Sequence, residues 1–248
     1  MSIGDYERAA NDLAEQCLAK FDDEEASLEL RAFALSIVVS QINCGNRAML
    51  AHVPDICHSL AEFSARMQQI TGTGAKDFYR QVVNAVTAIL DFPQENDAHE
   101  WFGPVLRYFV QLVSCDDVEI AIRVCEFWAQ HADVLLHRSV SDVREWVTAH
   151  ALWPRKLITA LMDRMIFRDD IEPSSFEILH QEAESALENV TRVYLAQPLL
   201  YASTKLLLKT RIETRIESDS WPEKEAAIRA LGAFTYAIGE YSLIIFLQ

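Results

Sequence analysis

The sequence predicts an all-α protein built as a HEAT-repeat α-solenoid, a right-handed superhelix of antiparallel helix pairs. Two observations predict it. Half of the 248 residues are hydrophobic, yet only 7 are glycine and 7 are proline, too few to turn the corners of a sandwich, a barrel or a doubly wound sheet. Apolar residues also recur at spacings of four, three and four in segment after segment, the mark of one buried stripe along an α-helix.

Taken in chain order, the stripes are Leu28, Ala32, Leu35, Val39; Tyr79, Val83, Val86, Leu90; Val118, Ile122, Cys125, Ala129; Ala183, Leu187, Val190, Tyr194; and Ala227, Leu231, Phe234, Ile238. Their starts lie 51, 39, 65 and 44 residues apart. Between them the sequence places a second set of apolar helices, over 49–67, 99–113, 154–167 and 197–212. A two-helix unit recurring about every 40–47 residues is the period of HEAT and armadillo arrays. One such pair cannot bury its own apolar face, so it stacks on its neighbours and the core runs along the array. The long interval exceeds the others by about twenty residues, where Val140, Val143, Trp146 and Val147 mark an inserted helix near 135–152. Residues 1–248 thus read as a single array of about four and a half repeats. The last stripe runs on into Tyr241 to Gln248 without a polar closing face, so the chain reads as a piece of a longer solenoid.

Breakers fall between these helices or in a first turn. Gly45, Gly72, Gly74, Pro93, Pro154, Pro173, Pro198 and Pro222 do so, and proline in a first turn loses no hydrogen bond because its missing N–H would be unpaired there anyway. Pro104 is read as moving the start of its helix to Gly103. Asp116 and Asp117 before Val118, and Ser220 before Trp221, are the expected N-caps.

Composition excludes several functional classes. No stretch reaches the roughly 18 apolar residues of a membrane span, and Met1 to Glu7 does not open a secretory signal. The 5 cysteines lack paired spacing and suit reduced thiols. With 37 acidic against 22 basic residues, the net charge of −15 repels nucleic acid and anionic membrane and attracts basic partners. The expectation is therefore no direct nucleic-acid binding and no membrane insertion. Asn189-Val190-Thr191 spells a glycosylation acceptor, expected to go unused without a secretory signal.

Catalytic and cofactor signatures fail on inspection. His99-Glu100 opens like a zinc-protease helix, but Gly103 stands where the second histidine must be one turn on. Gly72-Thr73-Gly74 has neither P-loop nor dinucleotide spacing. Cys57 and His58 are adjacent and diverge around a helix, so with His52 they make no four-ligand set. His131 with Asp133 lacks an identifiable nucleophile. Lys205, Lys209, Arg211 and Arg215 form a basic stripe without interleaved aromatics, read as a solvated face or as partners for neighbouring carboxylates. No enzyme, cofactor or metal is expected. What remains is a binding surface, with Trp128 and Trp221 open to either a core or a contact reading and Trp101 placed near the surface.

Three segments carry a family resemblance. Glu119 to Trp128, closing on Glu126-Phe127-Trp128, resembles the helix ending in Glu-Phe-Trp in the N-terminal half of the importin-β (karyopherin-β) family of nuclear transport receptors. Ser220 to Phe234 resembles that family's Trp-x-x-(Arg/Lys)-(Glu/Asp)-Ala-Ala-x-x-Ala-(Leu/Phe)-Gly helix two repeats later. Trp101-Phe102-Gly103-Pro104 is similar to its Tyr-Met-Gly-Pro segment, and the inserted helix after Trp128 falls where importin-β has an insertion. The resemblance covers nearly the whole chain and implies roughly the fourth to eighth repeats of a receptor with about nineteen.

It further implies nucleocytoplasmic protein import, with the GTPase Ran in its GTP state, basic cargo or an adaptor, and Phe-Gly nucleoporins as partners, in the cytoplasm, the nucleus and at the nuclear pore. By the same resemblance, Trp101 and Phe109 would line a pocket for Phe-Gly repeats, and Asp169, Asp170 and Glu172 would stand for the acidic loop that touches Ran. Here that loop is short and interrupted by Ile171 and Pro173. The alternative is a HEAT scaffold or regulatory subunit that assembles another protein complex.

Overall fold

The computed structural model describes residues 3–64, 74–90, 98–137, 144 and 154–239. Among them the chain is helical and has no strand. The helices are α1 (Ile3–Asp22), α2 (Leu28–Asn43), α3 (Arg47–Ala51), α4 (Val53–Ser64), α5 (Ala75–Leu90), α6 (Ala98–Leu112), α7 (Val118–Leu136), α8 (Pro154–Arg164), α9 (Pro173–Leu195), α10 (Pro198–Ile216) and α11 (Trp221–Ile238). The chain divides into two compact units, Met1–Tyr108 and Phe109–Gln248, where the sequence reading has one array. The inserted helix expected near 135–152 lies outside the described residues, apart from residues 135–137 and Arg144.

In the first unit α2 packs against both α1 and α5. Helix α1 carries the same stripe as the others, Ala10, Ala14, Cys17 and Phe21, all buried. The helix expected over 49–67 is two helices, α3 and α4, parted at His52. Pro54 explains the break: in a continuous helix it would delete one main-chain bond and press its ring on the preceding turn, whereas in the first turn of α4 it does neither. The core joins Phe21, Phe63 and Phe78, with ring centroids 4.6–5.8 Å apart. The guanidinium of Arg31 lies 5.1–5.7 Å from all three rings, and its Nε donates 2.7 Å to the Phe21 carbonyl. A cation enclosed by ring faces exchanges hydration for quadrupole attraction and a fixed acceptor.

The second unit has two layers. Helices α7, α9 and α11 lie side by side in one, α9 touching both neighbours, and α8 and α10 adjoin in the other. Within each unit the striped helices are neighbours: α2 meets α5 in the first, and α7, α9 and α11 follow one another in the second. Asp117 caps α7, accepting from the Glu119 and Ile120 amides at 3.0 and 3.1 Å, as expected. Ser220 stands at the N-cap of α11 but makes no side-chain cap bond. Helix α6 starts at Ala98, not Gly103, and runs through Pro104, accepting the loss of one main-chain bond near its start.

Candidate functional site

Phe109 does not face solvent. It is fully buried and meets Phe127 edge-on at 4.8 Å, because residue 109 lies on the side of α6 that carries Val105, Phe109 and Leu112 into the core. An incoming phenylalanine finds no ring surface there. Trp101 lies on α6, and its side chain is outside the described residues. The pair expected to line a Phe-Gly pocket thus has one member committed to internal packing.

The acidic loop between α8 and α9 is largely self-employed. Arg168 clamps Asp170 with both guanidinium arms, Nε to Oδ1 at 3.0 Å and Nη2 to Oδ2 at 2.6 Å. The Arg168 hydrogen bonds hold the Asp170 carboxyl below its usual range. Glu172 caps α9, accepting from the Ser174 hydroxyl and from the Ser175 amide at 2.9 Å. These bonds, the Ser174 hydroxyl first, likewise lower its pKa. Asp169 is exposed and Ile171 is buried as the loop's anchor. Of the three acids, only Asp169 makes no such local bond among those described.

The basic stripe resolves into two roles. Lys209 lies 3.7 Å from Glu213 on the surface of α10, whereas Arg215 is buried and donates 2.8 Å to the Met162 carbonyl while pairing with Asp163. Fifty-one residues earlier, the buried Arg164 donates from Nε to the Val113 carbonyl and from Nη2 to the Cys115 carbonyl. Each arginine lies at the end of its own helix and donates to at least one carbonyl at the end of the helix two places back, where intrahelical donors have run out. The ends of α6, α8 and α10 are thereby tied in sequence.

Other candidates have structural duties. Cys57 and Cys125 are buried and burial pushes their thiols up to about 12, so neither presents a reactive thiolate. His58 pairs with Glu62 and His52 with Asp55 on the surface, and no group of three metal-ligating side chains occurs among the described residues. His131 stacks on Phe127 at 5.5 Å. Asn189 donates 3.1 Å to the Ala129 carbonyl, tying α9 to α7, and Thr191 is buried, so the glycosylation-like triplet sits in packed helix. Trp128, Tyr194, Leu157 and Val193 line a small, open apolar cleft where α7, α8 and α9 meet.

The two open tryptophans separate cleanly. Trp128 is 1% exposed and belongs to the core, while Trp221 is 68% exposed at the start of α11. Ile228 and Tyr236 on the same helix are 56% and 73% exposed. Among the described residues no helix is long and apolar enough to cross a membrane.

No protein-family model matches the chain, and no curated protein matches it. A solved crystal structure of an engineered protein is similar at 15% identity, over 92% of this chain and 97% of that one, with a TM-score of 0.36. So loose a likeness supports no statement about fold or function.

Proposed function

We propose that this chain is a stretch of HEAT-repeat solenoid acting as a non-catalytic nuclear transport receptor of the importin-β type. It would bind Ran in its GTP state, basic cargo or an adaptor, and Phe-Gly nucleoporins, moving between cytoplasm and nucleus. The observation that carries the reading is the order of like helices. The segment ending in Glu126-Phe127-Trp128 is α7, the Trp221-Pro222-Glu223 segment is α11, and one helix of the same layer, α9, lies between them. That is the two-repeat separation the resemblance implies. The recurring arginine ties at the ends of α8 and α10 support a stacked array, because similar links between successive pairs favour a repeated geometry along it.

Such an array exchanges partners by flexing. Small rotations between pairs add up, so a partner that favours one curvature changes the affinity for a second partner elsewhere. The net charge of −15 favours basic signals. In the loop of Asp169, Asp170 and Glu172, the Ran contact would fall mainly to Asp169, since the other two acids are engaged within the chain. The test is binding to purified Ran loaded with GTP or with GDP. Preference for the GTP form supports transport. Binding that ignores the nucleotide, or none at all, overturns it and leaves the scaffold reading.

A further inference from the structure

His180 lies at the seam where α11 packs on α9. It is 1% exposed, and its Nε2 has no hydrogen-bond partner. Its ring stands 5.3 Å from that of Phe176, which Phe167 meets in turn at 5.0 Å, so one side of the imidazole is apolar. One turn along α9 is Glu184, on the same side of the helix. Arg229 of α11 reaches across to Glu184 at 3.7 Å and holds Glu225 of its own helix at 3.4 Å. The charges acting on the ring are therefore Arg229 and Glu225 from α11 and Glu184 and Glu177 from α9. Elsewhere against α9, Arg123 and Glu126 of α7 pair with each other, as do Asp163 of α8 and Arg215 of α10.

Helix α11 turns a face of small residues inward. Its buried positions are Ala226, Ala227, Ala230, Ala233 and Phe234, and an alanine brings little apolar area to a contact. The contact between α7 and α9 is built from larger side chains, Trp128, Val190, Val193 and Tyr194, with Asn189 donating 3.1 Å to the Ala129 carbonyl. Burial thus holds α9 to α7 more firmly than it holds α11 to α9. At the seam with α11 a larger share falls to the Arg229 bridge and to the protonation of His180.

We propose that the seam between α9 and α11 is an acid-sensitive joint, in which a proton on His180 draws Glu184 away from Arg229 and loosens α11 while α7 stays packed on α9. A neutral imidazole suits its surroundings and an imidazolium does not. Once protonated, the ring holds a charge beside phenylalanine, with an N–H that lacks an acceptor and a guanidinium nearby. The nearest relief is a carboxylate on its own helix, and Glu184 at i, i+4 is within reach. Taking it turns a pair between helices into a pair within α9, so Arg229 loses its hold across the seam. A helix of 18 residues released from its layer is marginal in water and opens its main-chain bonds. Burial first, and then Arg229, hold the His180 pKa below its usual value. The opened form has a solvated His180 and takes up the proton first, so below about pH 6.5 opening grows by up to about tenfold per pH unit. The joint would operate in a transport receptor and in a scaffold alike.

The experiment is hydrogen exchange of the full chain at about pH 7.5 and about pH 5.5, corrected for the intrinsic pH dependence of exchange and read by mass spectrometry on peptides from α11 and α7. The expected result is a loss of α11 protection of about three- to tenfold at the lower pH, with α7 changing by less than about twofold. His180→Gln, neutral at both pH values, should remove the difference. Glu184→Gln, at a half-buried position, should loosen α11 already at the higher pH and respond less to acid. Glu182→Gln removes a carboxylate that faces Glu126 and Arg123 of α7, and should leave the α11 response as it was. Protection of α11 that ignores pH overturns the proposal, as does an equal loss in α7 and α11, which marks destabilisation of the whole unit. A response that survives His180→Gln, one abolished by Glu182→Gln, or a Glu184→Gln chain that behaves like the unaltered one overturns it too. The comparison of α11 with α7 uses the unaltered chain, so it decides even where a variant fails to fold.

Discussion

Replacing Arg215 by methionine tests the tie between α10 and α8. Methionine keeps most of the buried aliphatic stem, so the change removes mainly the guanidinium and its bonds. Two contacts disappear. The 2.8 Å bond to the Met162 carbonyl comes from a charged donor in a buried setting, a class worth about 1.5–3 kcal/mol. The Asp163 pair is different, because its carboxylate side is 50% exposed and solvent screens it to at most about 1 kcal/mol. The carbonyl term dominates, and the sum is about 2–4 kcal/mol. Urea unfolding followed by tryptophan fluorescence reads this directly: with a slope of about 2 kcal/mol per molar urea, the midpoint should fall by about 1–2 M. Asp163→Ala alone should shift it by less than about 0.5 M. If Arg215→Met moves the midpoint no further than Asp163→Ala does, the helix-end tie contributes nothing and the stacking argument fails.

Three more outcomes follow from the same contacts. Gly74 has φ +84°, and a Cβ there would stand 2.6 Å from the Glu29 carboxylate. Gly74→Ala should cost about 1–3 kcal/mol, and adding Glu29→Ala should recover only the steric part, which a thermal melt of both variants will show. His180 is buried with Nε2 unpartnered, and desolvation first, then the Arg229 charge, lowers its pKa. The unfolded chain therefore takes up the proton first, so this contribution to stability is complete above pH about 6.5 and is lost as pH falls below it, by at most about 1.4 kcal/mol per pH unit. His180→Gln should flatten that stretch of the stability curve, and an unchanged difference between pH 7 and 5.5 would count against the assignment. Phe109→Ala should destabilise by about 3–5 kcal/mol as a core truncation. Trp101→Ala should instead leave urea stability nearly unchanged and weaken Phe-Gly peptide binding, with equal peptide affinity in both folded proteins refuting the Trp101 pocket.

What was legible in the sequence, and what was not, follows the range of the forces. The stripe of Ala183, Leu187, Val190 and Tyr194 named its helix and its buried face because both depend on residues within two turns. Yet α1 carries the same spacing at Ala10, Ala14, Cys17 and Phe21, a signal present but not read. Pro54 likewise explains the split between α3 and α4. Phe109 was placed in a surface pocket by resemblance, although its own neighbours Val105 and Leu112 already put it on an inward stripe.

By itself, then, the sequence determined that this protein is helical, how its like helices recur, and where proline and aspartate begin them, because backbone hydrogen bonding and capping act within a few residues. Tertiary structure decided the rest. Trp128 and Trp221 are the same residue in helical segments, and it is the packing of α8 and α9, with Leu157, Val193 and Tyr194 beside Trp128, that makes one a core residue while the other stays exposed. Arg215 reads from sequence as part of a solvated basic stripe or as a partner for neighbouring carboxylates, and only the fold brings it to its acceptors at Met162 and Asp163, about fifty residues upstream. A buried cation is stable only where fixed carbonyls replace its water, and no local pattern reports where those carbonyls will be.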